Sequence, residues 1–210
     1  AKYVFWFVLS LPDKRAMCLP RRRFRFLPQC AEANPFRISQ FVRTAMTAHS
    51  KPTSSATAWP SRHWAEVSAH DFALAQSDGL AAQTIAVLPV AAVEQHGPHL
   101  PLSVDATLLQ GVIDAALPQI SADVPVLFLP AQNIGFSTEH TNFPGTLTLS
   151  PATIIALWTE LGACVARAGI KKLLLLNGHG GQVSVMDIVA RELRMHHGLL
   201  VYSSSWFSLP

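Results

Sequence analysis

Four residues able to bind a cation or move a proton, Glu94, His96, His99 and Asp105, crowd the stretch VEQHGPHLPLSVDAT, residues 93–107. Glu94 and His96 are two residues apart, so in an extended segment their side chains leave the same side of the chain and can reach one ion or two adjacent ions. Gly97, Pro98 and Pro101 then bend and stiffen the path of the chain. Asp105 arrives at the first turn of a helical pattern, where the helix dipole also favours a carboxylate. Taken singly, Asp105 reads as a cap, Glu94 as a solvated acid, and His96 and His99 as loop hydrogen-bonders. Taken together, an acid and a base fed by an apolar strand into a proline-stiffened loop read as a metal site. Imidazole with carboxylates suits Zn²⁺, Mn²⁺ or Fe²⁺.

A second stretch, NGHGGQ at residues 177–182, offers His179 followed by Gly180 and Gly181. Two glycines there permit a tight strand-to-helix turn and close approach of a ligand to backbone N–H groups. A phosphate loop is the rival reading, but the Lys-Ser/Thr ending and the GxGxxG spacing are both missing. A third polar stretch, AQNIGFSTEHTNFPG, brings Ser137, Glu139 and His140 into one loop.

These stretches need elements to hold them. TIAVLPV (84–90), VPVLFLP (124–130), Lys171 to Leu176 and LLVYSSS (199–205) read as strands. The stretch 103–120, with Ser103 placed as a cap, the stretch from Ser150 and Pro151 onward, and residues 182–197 read as helices. TLTL (146–149) reads as a short extended piece. Strand and helix in alternation predict an α/β domain with a mainly parallel sheet covered on both faces. The three polar stretches then leave the carboxyl ends of three strands, where such sheets carry their chemistry.

The chain of 210 residues is 50% hydrophobic and only 14% charged, which predicts one large core with a sparsely charged surface. The net charge of +3 averages two unlike regions. Residues 1–45 hold nine basic against two acidic residues, and the remainder seven against eleven. A mildly acidic body gives no case for nucleic-acid binding outside the RRRFRF arm. Residues 1–58 read as a basic, disordered extension and linker, with the domain running over 59–210; the apolar opening is too short to span a membrane. Cys18, Cys30 and Cys164 have no ligand-like spacing, and Cys164 reads as a core residue of a helix.

VEQHGPHLPLSVDAT, GFSTEHTNFPGTLTL and LLLLNGHGGQ, in that order and with similar gaps, resemble the creatininase (creatinine amidohydrolase) family over roughly residues 60–210. The resemblance implies a three-layer α/β/α sandwich, commonly a hexamer, with a two-metal centre. That centre would hydrolyse amide-type C–N bonds in small, often cyclic substrates through metal-activated water. Some relatives act on formamides and on peptide-derived cofactor precursors, as in mycofactocin maturation. By position the resemblance makes Glu94, His96, Asp105 and His179 ligands of two divalent ions, with Asp105 the bridge and zinc expected ahead of manganese or iron. It makes Ser137 a substrate contact, sets Glu139 and His140 to orient substrate or shuttle protons, and gives His140 the proton for the leaving nitrogen. Gly180 and Gly181 would face substrate, and His99 would shape its loop. The implied partners are a small-molecule substrate and further copies of the chain, without nucleic acid or membrane, in the cytoplasm.

The pattern departs from the family at two places. Creatininase carries a second acidic ligand close after the histidine, where Gly180 and Gly181 stand here. Relatives with GHGG take that acid from a later HAGxxETS-type segment, which is expected to be lacking from the domain. Gln182 also stands where Asn is usual. The alternative reading is a catalytically inactive subunit or small-ligand binder.

Overall fold

The computed structural model describes residues 58–208; the basic arm, Cys18 and Cys30 lie outside the described residues. Four strands form one parallel sheet in the order β2-β1-β3-β4. They are β1 (Ile85–Val90), β2 (Val126–Phe128), β3 (Lys172–Asn177) and β4 (Leu200–Ser205). The central pair runs in register from Ile85 opposite Lys172 to Val90 opposite Asn177. Alternate residues of these strands face opposite layers, which is why their sequences are apolar throughout. Ala86, Leu88, Leu173 and Leu175 pack on one side, Val87, Leu174 and Leu176 on the other.

The first side is covered by α1 (Ala69–Ser77), α2 (Leu80–Gln83), α4 (Pro151–Arg167) and α5 (Val183–His197), and the second by α3 (Val104–Ala116). The result is an α/β/α sandwich with two apolar layers. Trp158 of α4 is fully buried, and α4 meets α5 where Gly162 lies under Leu193. A Cβ at Gly162 would overlap the Leu193 methyl groups, so the helices approach as closely as they do only because that position has no side chain.

Proline in a central strand removes a ladder hydrogen bond. Pro89 of β1 is accommodated because β2 has ended by that level, and its carbonyl accepts from Gln132 N at 2.9 Å instead. Helix α4 begins as its sequence predicts, with Thr153 N donating to Ser150 Oγ and Pro151 in the first turn. Helix α5 ends at Gly198 with φ +61°.

Three sequence expectations need correction, and one helix has no counterpart among them. Cys164 is exposed, because it lies on the outer face of α4, beside Arg167. Ser103 precedes α3, but its side chain caps nothing, since its backbone (φ −84°, ψ 13°) lacks the extended conformation that aims a capping oxygen. The second strand is only Val126–Phe128, with Arg62 side-chain nitrogens donating to the carbonyls of Val124 and Ser121 just before it. Helix α1 went unread because its apolar spacing is weak; its start is set by a capping box between Ser68 and Asp71.

Candidate metal centre

Each polar stretch leaves the carboxyl end of its strand. Beyond β1 the chain is pinned by Leu147 N donating to Val93 O and Glu94 N donating to Leu102 O, both at 2.9 Å. This fixes Glu94, which is buried. Beyond β3, Gly178 N donates to Val90 O at 2.8 Å and ties the His179 turn to the β1 exit. Asp105 is carried in by the first turn of α3 and is also buried.

Glu94, His96, Asp105 and His179 converge. His96 Nε2 lies 3.1 Å from Asp105 Oδ1 and 4.0 Å from Glu94 Oε1. His179 Nδ1 lies 3.3 Å from Glu94 Oε1 and 3.1 Å from Asp105 Oδ2. Residues 85 positions apart in sequence thus share one pocket at the mouth of the sheet. Glu94 with His96 and Asp105 forms one group whose donor atoms all lie within 4.8 Å of one another, and Glu94 with Glu139 and His179 forms another.

Hydrogen bonds on the far side of each ring decide which nitrogen faces the pocket. His96 Nδ1 is 3.1 Å from the Glu94 carbonyl, and His179 Nε2 is 3.1 Å from the Phe136 carbonyl. A carbonyl only accepts, so those nitrogens carry the hydrogen and donate. The other nitrogen of each neutral ring, His96 Nε2 and His179 Nδ1, is left with a lone pair aimed at carboxylates. Lone pairs set against carboxylates repel unless something positive stands between them. Asp105 Oδ2 is buried, and a neutral His179 offers it no hydrogen, a costly state for a carboxylate oxygen.

In the metal-free site a proton fills that role. Burial opposes a charged His179, but hydrogen bonds and charge from Asp105 and Glu94 outweigh it and raise its pKa to about 10. Burial opposes the charged form of Glu94 as well and so acts to raise its pKa, yet His179, Ser137 and His140 together hold it below the usual carboxylate range.

The STEH loop closes over this pocket. Ser137 is fully buried, with its hydroxyl 3.4 Å from His179 Nε2, so it touches the ring and exposes no surface of its own. Glu139 is more open, and its Oε1 lies 3.2 Å from His179 Nε2. A Cβ at Gly181 would overlap this carboxylate, so the second glycine of GHGG is what admits Glu139. His140 Nε2 lies 3.6 Å from Glu94 Oε1. Gly180 is exposed at the start of the turn. His99 is exposed, with its ring beside Gly97 in the same loop.

Two framework residues were not picked out by sequence spacing. Asn177 Oδ1 accepts from His179 N at 3.0 Å and from Gln182 Nε2 at 2.9 Å, while its Nδ2 donates to His179 O and Ser205 Oγ. Gln182, fully buried, takes the Phe136 N–H on its Oε1 at 3.3 Å, so it links the His179 turn to the STEH loop. Gly135 makes room for that amide; a Cβ there would overlap Gln182 Oε1 and Ala91 O. The longer Gln at this position therefore has full use of its length.

Residues 65–209 match the family model described as creatinine amidohydrolase. The chain belongs to the creatininase family. A mycofactocin precursor peptide peptidase from Mycolicibacterium smegmatis is 34% identical over 110 residues, 51% of this chain and 44% of that protein. This chain thus spans less than half the length of that relative. Among solved structures, one named "Creatininase Mn" has a TM-score of 0.54 at 27% identity, covering 68% of this chain and 58% of the other. A mutant creatininase of the "Zn-Zn type" gives 0.52 at 29% identity over the same shares. No helix among the described residues is long and apolar enough to cross a membrane.

Proposed function

We propose that the pocket holds two divalent ions, zinc foremost, and hydrolyses an amide-type C–N bond in a small cyclic, formamide or peptide-derived substrate. The observation that carries this is the meeting of His96 Nε2 and His179 Nδ1, both presented as lone pairs, with Glu94 and Asp105 oxygens at 3.1–4.0 Å. Donor atoms bound to one zinc at roughly 2.0–2.1 Å stand about 3 Å apart, so the spacing and the donor types fit. The Mn and Zn in the names of the solved relatives support the same choice.

In this reading Asp105, with Oδ1 toward His96 and Oδ2 toward His179, would help hold both ions. Bound ions supply Lewis acidity and bring the pKa of water toward neutrality. The Glu94 and Phe136 carbonyls hold the two rings in orientation. Water oxygen bonds to the carbonyl carbon, the C–N bond breaks, and the proton that water loses ends on the departing nitrogen. In the same reading Glu139, half-open and with its Oε1 3.2 Å from His179 Nε2, carries that proton. His140 and the backbone of the exposed Gly180 are assigned to hydrogen-bond the substrate's oxygen.

The test is Asp105→Asn, measured against the wild-type chain by elemental mass spectrometry after zinc loading and dialysis. About two zinc ions per wild-type chain and none or one in the variant are expected. Equal zinc in both would remove Asp105, and with it the shared-carboxylate centre, from consideration. Release of amine from formamides and short peptides by the loaded wild-type chain then tests the hydrolysis itself.

A further inference from the structure

We infer that Gln95 is a positioning residue that fixes the hydrogen of His140 on Nε2, making His140 a hydrogen-bond donor to the substrate rather than a metal ligand or a proton carrier. The inference rests on the hydrolytic reading for its substrate, but its evidence is a chain of hydrogen bonds independent of any ion.

The chain begins at Gly97, whose φ of +85° is accessible at little cost only to glycine. That turn brings the Gly97 N–H onto Gln95 Oε1 at 3.0 Å. A backbone N–H can only donate, so this arm of the Gln95 amide must be its oxygen. The other arm is the NH₂ group, 3.0 Å from His140 Nδ1. An amide NH₂ also only donates, so Nδ1 accepts and carries no hydrogen. The single hydrogen of the ring is then on Nε2, the nitrogen 3.6 Å from Glu94 Oε1 and open to the pocket. Phe143 packs edge-on to the same ring at a centroid distance of 6.0 Å.

This tautomer restricts the chemistry of the ring. A nitrogen bearing hydrogen offers no lone pair, so His140 stands apart from His96 and His179 although it is comparably close to Glu94. A ring whose Nδ1 is occupied by a donor cannot take up a proton there as Nε2 gives one away, which disables it as a relay. There remains a fixed N–H aimed at an acceptor atom, suited to a carbonyl oxygen that gains negative charge during attack. The proton donation expected of His140 from sequence is thereby replaced by polarisation of the carbonyl.

Gln95→Glu isolates this role. It keeps an oxygen for Gly97 and the same shape, but turns an acceptor toward His140 Nδ1. Long-range ¹H–¹⁵N spectra of the zinc-loaded chain, with the ring assigned by comparison with His140→Gln, read the tautomer directly. In the wild type Nδ1 should show the shift of an unprotonated nitrogen and Nε2 that of a protonated one. Gln95→Glu should move the hydrogen to Nδ1, and Gln95→Met, which removes both bonds, should leave a mixture. Zinc content should be unchanged in all three, while kcat of Gln95→Glu falls about 10–100-fold, the range for outer partners of site residues. A wild-type ring with its hydrogen on Nδ1, or a Gln95→Glu spectrum identical to wild type, would overturn the inference. Because the spectra need no turnover, an absence of hydrolysis would count against the proposed reaction and leave this result separate.

Discussion

At the scale of residues, the centre is built from imidazoles locked by backbone carbonyls, and that arrangement dictates how pH acts on it. The pKa of His179 in the metal-free chain is raised to about 10, against about 6.5 for an unfolded histidine. Its favourable pairing is therefore fully present below pH 6.5 and is lost as pH rises toward 10. Cation binding must displace the same proton, so zinc affinity should increase with pH across this window, by about tenfold per unit for one proton displaced. Competition titrations with a metal indicator between about pH 6 and 9 measure this. A flat profile would show that His179 gives up no proton to the ion. The individual site residues were visible in sequence, because acids and bases beside glycine and proline are conspicuous after an apolar strand. Their roles were less so. Glu94, His96, Asp105 and His179 meet as spacing and resemblance suggested, whereas the part of Gln95 depends on which way an amide faces, and Ser137 proved to be enclosed.

At the scale of elements, β1 and β3 were legible because strands covered on both faces are apolar throughout, and α4 because Ser150 and Pro151 mark its start. Helix α1 was not legible: one buried residue in nine, Ala75, leaves little periodic signal. Cys164 was misread for a related reason, since α4 is apolar even on part of its outer face and composition alone does not show which side is inward. The contact of α4 with α5 is more exacting than either helix by itself. Replacing Gly162 with Ala forces a methyl group into the fully buried Leu193 and should cost about 1–3 kcal/mol, the usual penalty for overpacking. Urea unfolding of the two proteins would show it as a lower midpoint with an unchanged slope. An unaltered midpoint would mean that the helices can part without loss.

At the scale of the whole molecule, the proposed cation binding would be coupled to folding, since Glu94, His96, Asp105 and His179 come together only on the assembled sheet. Saturating zinc, at about a hundred times its dissociation constant, should stabilise the chain by about 2.7 kcal/mol. For a chain of this size that raises the melting temperature by roughly 5–10 °C. Differential scanning fluorimetry with and without zinc would record the shift, which Asp105→Asn should reduce or abolish; an equal shift in the variant would place the bound ions elsewhere. The pairing of β1 with β3 adds a temporal dimension. Some eighty residues separate these neighbours in the chain, including all of β2, α3 and α4, so their union closes a long loop of the kind that slows the folding of parallel sheets. His179 reaches Glu94 only once that union is made, and capture of an ion would thus clock the closing of this long loop.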